Sequence, residues 1–67
     1  MNEEELNMQI RRFLKKVGIQ SQREIEQTMR GGAESGAVKP GDTLPATMNL
    51  RIDALGLDVN IDGEIKI

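Results

Sequence analysis

Six consecutive residues near the end of the chain match the opening of a calcium-binding loop. Asp58, Asn60 and Asp62 alternate with apolar residues and precede Gly63, as in the pattern D-x-[DN]-x-[DN]-G. Calcium takes carboxylate and amide oxygens as ligands. The full loop also requires a bidentate Glu at its twelfth position, which would fall beyond Ile67, and it normally joins helices. We therefore expect a hairpin here, keep the three residues only as candidate metal ligands, and predict no cofactor.

A second candidate site is a basic ridge made of four residues close together in the sequence: Arg11, Arg12, Lys15 and Lys16. Residues four apart share one side of a helix, so the ridge contains like-charge pairs that destabilise the helix slightly. Such a cost is tolerable if the ridge binds phosphate or the carboxylates of a partner. In the alternative interpretation, which the sequence favours, the charges complement the negative end of a helix dipole and keep the helix solvated.

The third candidate is a nucleic-acid interface on a predicted second helix. Side chains of the kind that read base edges occur there, namely Gln22, Arg23, Gln27 and Arg30. A helix, a turn and a capped helix resemble part of a helix-turn-helix module, although that module has three helices. The formal net charge of −2 opposes binding to DNA. A nucleic-acid-binding regulator acting through residues 21–34 is therefore the alternative function, with nucleic acid disfavoured as a partner.

Missing residue types remove most catalytic chemistry. The 67 residues include no Cys, His, Trp or Tyr, and Phe13 is the one aromatic. Thiolate nucleophiles, imidazole bases and disulfides are thereby excluded. No run of apolar residues approaches the ~20 that a membrane span needs, and the acidic start is unlike a secretion signal. We expect a cytoplasmic protein that is not an enzyme, with no evident small-molecule substrate and no membrane partner.

Two helices are predicted in the first half of the chain. Asn2 is a good N-cap, apolar residues follow at helical spacing, and Gly18 is a natural stop, which predicts a helix over 3–17. The segment Ser21-Gln22-Arg23-Glu24 has the form of a capping box and opens a second helix over 22–34. That helix ends either near Arg30 or at a cap on Gly36. A loop over 36–47 follows, because Pro and Gly interrupt any period there.

The last twenty residues alternate apolar and polar side chains, which predicts an antiparallel sheet. Strands are expected over about 48–53, 57–60 and 64–67. Because paired side chains share a face, the first hairpin needs an even loop, either residues 55–56 or 54–57. The second hairpin needs the three-residue loop 61–63, with Gly63 in a bulge. This loop pairs Val59 with Ile65 and Asp58 with Lys66.

The predicted fold class is α+β, a single small domain over 1–67 in which an N-terminal helical hairpin packs on a three-stranded antiparallel β-meander (ααβββ). The stretch LNMQIRRFLKKVGIQSQREI, the later Thr43-Leu44-Pro45-Ala46 and the segment Ile61-Asp62-Gly63-Glu64-Ile65 resemble a family of short bacterial proteins of unknown function. The resemblance extends over nearly the whole chain and implies a free-standing domain, with no established site residues. We expect a small non-catalytic protein-interaction module that binds an unidentified protein or forms a homo-oligomer.

Overall fold

A computed structural model describes all residues from 1 to 67, and it contains one helix and one β-hairpin. Helix α1 covers Glu3–Ser35, strand β1 covers Thr43–Ile52 and strand β2 covers Leu57–Lys66. A short 3-10 turn, Asp53–Leu55, joins the two strands. The chain divides into two compact units, Met1–Ala37 and Val38–Ile67, so that the helix and the hairpin each form one unit.

Helix α1 is capped at both ends by residues that the sequence identifies. The side chain of Asn2 accepts a hydrogen bond from the backbone N–H of Glu5 at 3.1 Å, as the predicted N-cap should. Gly36 adopts a left-handed conformation with φ of 79° and donates its N–H to the carbonyl of Ala33. The helix thus passes through Gly31 and Gly32 and ends near the longer of the two predicted limits. No part of it is long and apolar enough to cross a membrane.

The predicted helical hairpin is wrong, because α1 continues without a break from Glu3 to Ser35. Gly18 is not left-handed, and Ser21 lies in the helix interior, where it caps nothing. A glycine inside a helix costs only about 1 kcal/mol relative to alanine. A turn there would instead interrupt the backbone hydrogen bonds of several residues. The continuous helix therefore has the lower free energy unless contacts between the two segments compensate for the hydrogen bonds lost at a turn.

The hairpin pairs β1 and β2 antiparallel over their full length. One face carries four cross-strand apolar pairs and one small pair: Leu44–Ile65, Ala46–Gly63, Met48–Ile61, Leu50–Val59 and Ile52–Leu57. The other face is largely polar and carries Thr43–Lys66, Pro45–Glu64, Thr47–Asp62, Asn49–Asn60 and Arg51–Asp58. Pro45 is tolerated because each strand of a two-stranded sheet has a free edge. The hairpin is thus amphipathic across its two faces.

The predicted three-stranded meander is also wrong, since the strands expected over 57–60 and 64–67 form the single strand β2. Asp62 and Gly63 do not turn; they pair with Thr47 and Ala46 on β1. These partners exist because β1 begins at Thr43, inside the stretch predicted as a loop. The predicted loop 36–47 therefore shortens to residues 36–42. The predicted pairs of the second hairpin do not form.

The turn between the strands has four residues, Asp53 to Gly56. This even number satisfies the parity that the alternation requires, although the turn starts one residue earlier than the longer predicted loop. Gly56 adopts φ of 64° and donates its N–H to the carbonyl of Asp53 at 3.1 Å. Its left-handed conformation closes the turn and sets Ile52 opposite Leu57.

Candidate functional site

The first half of α1 presents an apolar stripe, which we define as Leu6, Ile10, Phe13, Leu14 and Val17. These residues are three or four apart and share one side of the helix, as the sequence predicts. Leu6 is 41% exposed, Ile10 49%, and Phe13 and Leu14 54% each, whereas Val17 is of intermediate exposure. A stripe of this width normally faces a core. Here half of its surface remains in contact with solvent.

The basic ridge lies in the first half of α1 and not at a helix end. Dipole effects decay within the first and last turns, and the last turn of α1 contains no basic residue. The part of the favoured interpretation in which the ridge complements a helix C-terminus is therefore wrong, whereas the part in which the charges keep the helix solvated stays a prediction. The four basic side chains form no ion pair; Arg12 instead points its Nη2 at the sulfur of Met8, 3.9 Å away. The ridge is exposed and uncompensated within the chain.

A continuous helix adds Arg23 to this ridge, although the predicted helical hairpin had Arg23 on its second helix. A shallow groove runs along the resulting surface, lined by Arg12, Lys15, Lys16, Ile19, Gln20, Arg23 and Glu24. No acidic residue occurs between Leu6 and Arg23. That absence is the sequence signal for one long basic segment. We use the name basic segment for residues 11–23 and acidic segment for Glu3, Glu4 and Glu5.

The candidate nucleic-acid residues are not arranged as a recognition helix. The helix-turn-helix interpretation required a turn at Gly18, and α1 has none. Gln22 donates its Nε2 to Oε1 of Glu26 at 2.9 Å, and Arg30 lies 3.8 Å from the same carboxylate. Two of the four side chains are therefore engaged by an acid. Arg23 and Gln27 lie on a different side of the helix from Gln22.

The candidate metal ligands lie in a row on the polar face of the hairpin, all on β2. The side-chain amide of Asn49 donates to Oδ1 of Asp58 at 2.8 Å and to Oδ1 of Asn60 at 3.0 Å. The hydroxyl of Thr47 donates to Oδ1 of Asp62 at 3.0 Å. No group of three or more acidic side chains is placed to hold a metal ion. The arrangement acts as a set of cross-strand hydrogen bonds that fix the strand register.

The apolar face of the hairpin is a second surface that is incompletely covered. Met48, Ile52 and Val59 are each exposed by about two fifths, and Ile61 by more than half. Leu44, Leu50, Leu57 and Ile65 have intermediate exposure. No side chain of the chain reaches the buried class. Each unit thus carries an apolar face that is only partly covered.

Comparison with known proteins identifies one family. The model of a family of unknown function, DUF6494, matches residues 1–67, the full length of the chain. No curated protein and no solved structure matches. The family description assigns no role to any residue.

Proposed function

Taking as premise that this chain belongs along its whole length to the family of unknown function DUF6494, we propose that it is a small non-catalytic protein-interaction module. The observation that supports the proposal is the half-exposed apolar stripe, which lies on the side of α1 opposite to the unpaired basic ridge. Amphipathic helices with this organisation bind the apolar face of another helix or an apolar groove. The interaction surface is therefore assigned to the first half of α1.

The exposed area of the stripe determines how much binding free energy must come from apolar surface of the partner. Complete burial of a Leu, Ile, Val or Phe side chain yields about 1.5–3 kcal/mol, so a half-exposed residue has about 1 kcal/mol left to gain. Five such residues give roughly 5 kcal/mol, at the low end of the ~4–15 kcal/mol that association costs. A partner with an apolar face of similar size would raise the gain to roughly 10 kcal/mol. The partner must therefore bring an apolar surface of its own.

Site-specific photo-cross-linking in the native cell tests the proposal. Replacement of Phe13 by p-benzoylphenylalanine keeps an aromatic side chain within the stripe. The matched control carries the same group at Met8, which is as exposed as Phe13 but lies on the opposite side of the helix. We expect discrete protein adducts, to the chain itself or to another protein, from position 13 and few from position 8.

Equal labelling of proteins from the two positions would contradict the assignment of the stripe. Adducts from position 13 that contain only nucleic acid would contradict the interaction module itself. The same cross-linked samples, separated by mass, show whether the partner is another copy of the chain.

A further inference from the structure

The groove on α1 lies between two rows of side chains that run along the helix. Residues four apart form such rows, and a helix packs by placing one of its rows between two rows of another helix. One row that lines the groove consists of Arg12, Lys16, Gln20 and Glu24, and the other of Lys15, Ile19 and Arg23. Ile19, in the middle, lies on the side of α1 opposite to Val17 of the apolar stripe. The groove is therefore a surface distinct from the stripe.

The charge of the groove is positive and is not neutralised within the chain. Four of its seven lining side chains are cations, and none of the four forms an ion pair. Like charges four residues apart, such as Arg12 and Lys16, destabilise a helix. An anionic partner that occupies the groove would offset this repulsion.

An apolar side chain lies among these cations. Ile19 is 53% exposed, with Lys15 one turn before it and Arg23 one turn after it in the same row. The phosphates of a nucleic acid would attract the cations but would leave Ile19 in water. A long polyanion would also meet acids on both sides of the groove, namely the acidic segment and Glu24. A short row of carboxylates around one apolar side chain fits the groove better.

We infer that this groove binds an acidic helix of another protein. Carboxylates of that helix face the cations of the groove, and one of its apolar side chains covers Ile19. A second copy of the chain supplies no such row, because no two acids of α1 are three or four residues apart. The binding does not involve the stripe, so either surface can fail its test without the other. Met8 does not line the groove, so it remains the cross-linking control for the stripe.

A designed peptide tests the groove, with the full chain as its binding partner at low salt. The peptide is an alanine-rich helix that carries glutamates at spacings of three and four residues around one leucine, and fluorescence anisotropy measures its binding. We expect saturable binding that weakens about tenfold at 1 M salt, where the Debye length is about 3 Å. A scrambled peptide keeps the charge but breaks the row, and it should bind about threefold more weakly.

Two neighbouring arginines distinguish binding in the groove from general attraction to a basic helix. Arg12 lines the groove and Arg11 does not, although each contributes one positive charge. Arg12→Gln should weaken binding of the peptide about threefold, and Arg11→Gln should leave it unchanged. Lys16→Gln repeats the comparison at a second position of the groove, and circular dichroism checks that each variant keeps the helix.

Ile19→Ala tests the apolar contact. It should weaken binding of the peptide that carries leucine and should not affect a peptide with alanine in its place. Equal losses for Arg11→Gln and Arg12→Gln would overturn the inference, and so would equal binding of the ordered and scrambled peptides or no binding at millimolar peptide. If a short duplex DNA or phosphatidylglycerol vesicles bind more tightly than the peptide, the basic segment is a phosphate-binding surface and the inference is wrong.

Discussion

Replacement of Gly18 by alanine distinguishes a continuous helix from a helical hairpin. Gly18 lies inside α1, its φ is not positive, and an alanine Cβ would meet no atom within 4 Å. Alanine should therefore stabilise the helix by about 1 kcal/mol. At a left-handed stop, alanine would instead be strained and would destabilise the chain.

The expected size of the effect on melting follows from the chain length. At ~2.1 cal/mol/K of unfolding entropy per residue, 67 residues give roughly 140 cal/mol/K. A gain of 1 kcal/mol then raises the melting temperature by about 7 °C if the chain melts as one unit. Circular dichroism at 222 nm measures the shift, with protein concentration held fixed because self-association also raises stability.

Gly36→Ala is the matched control, because Gly36 has φ of 79° and its replacement should lower stability by about 1 kcal/mol. Gly31→Ala should behave like Gly18→Ala and add to it, since the two sites are far apart. A fall in melting temperature for Gly18→Ala would refute the continuous helix. The fold would then contain the turn that the sequence predicted.

Three further predictions concern the hairpin. Gly56→Ala should destabilise the hairpin by about 1 kcal/mol, because Gly56 has a φ of 64°. Gly63→Ala should have no such effect, because its φ is ordinary and a Cβ would meet no atom within 4 Å. Amide hydrogen exchange of the two strands measures the stability of each variant. Asn49→Ala removes the amide that bonds two β2 side chains, and strand protection should fall up to about fivefold, or about 1 kcal/mol; an unchanged exchange rate would show that these exposed bonds add nothing. Millimolar calcium should leave the amide resonances of residues 58–62 unshifted, and a saturable shift would restore the metal site.

The sequence predicts the ends of α1 correctly because caps depend on local chemistry. Asn2 and Gly36 satisfy backbone groups whatever the rest of the chain does. Gly18 and Ser21 misled the prediction because the same residue types also occur inside helices at a cost of about 1 kcal/mol or less. Whether such a weak stop is used depends on tertiary packing, which the sequence does not display.

In the hairpin, the apolar and polar alternation predicted the strands correctly, and the Asp62-Gly63 sequence misled the prediction of the turn. The alternation through Leu57, Val59 and Ile61 continues through Gly63 to Ile65 without a break in parity, as a single strand requires. The three-residue bulge loop was needed only because Asp62-Gly63 is a common turn sequence. An unbroken alternation was the stronger signal. The residues of β1 that pair with the end of this longer strand are 43–47, and they were predicted as a loop because of Pro45.

The candidate site was only partly visible in the sequence. The sequence identified the stripe and the four ridge residues but not the position of the ridge along the helix. In the predicted pair of short helices the ridge lies at a helix end, whereas in the single helix α1 it does not. The addition of Arg23 to the ridge follows from the same change. A site on a helix surface thus depends on where the helix ends.

The one internal ion pair of α1, Glu26–Arg30, lies in its second half, and this bears on how long the protein survives proteolysis. Attraction between charges at i and i+4 stabilises a helix, and from Glu3 to Arg23 this helix has no such pair. The turns in the middle of this stretch, which have neither a cap nor an ion pair, would therefore open to proteases more readily than the capped first turn. A partner that covers the apolar stripe would shield those turns, so that the bound fraction of the protein would outlive the free fraction.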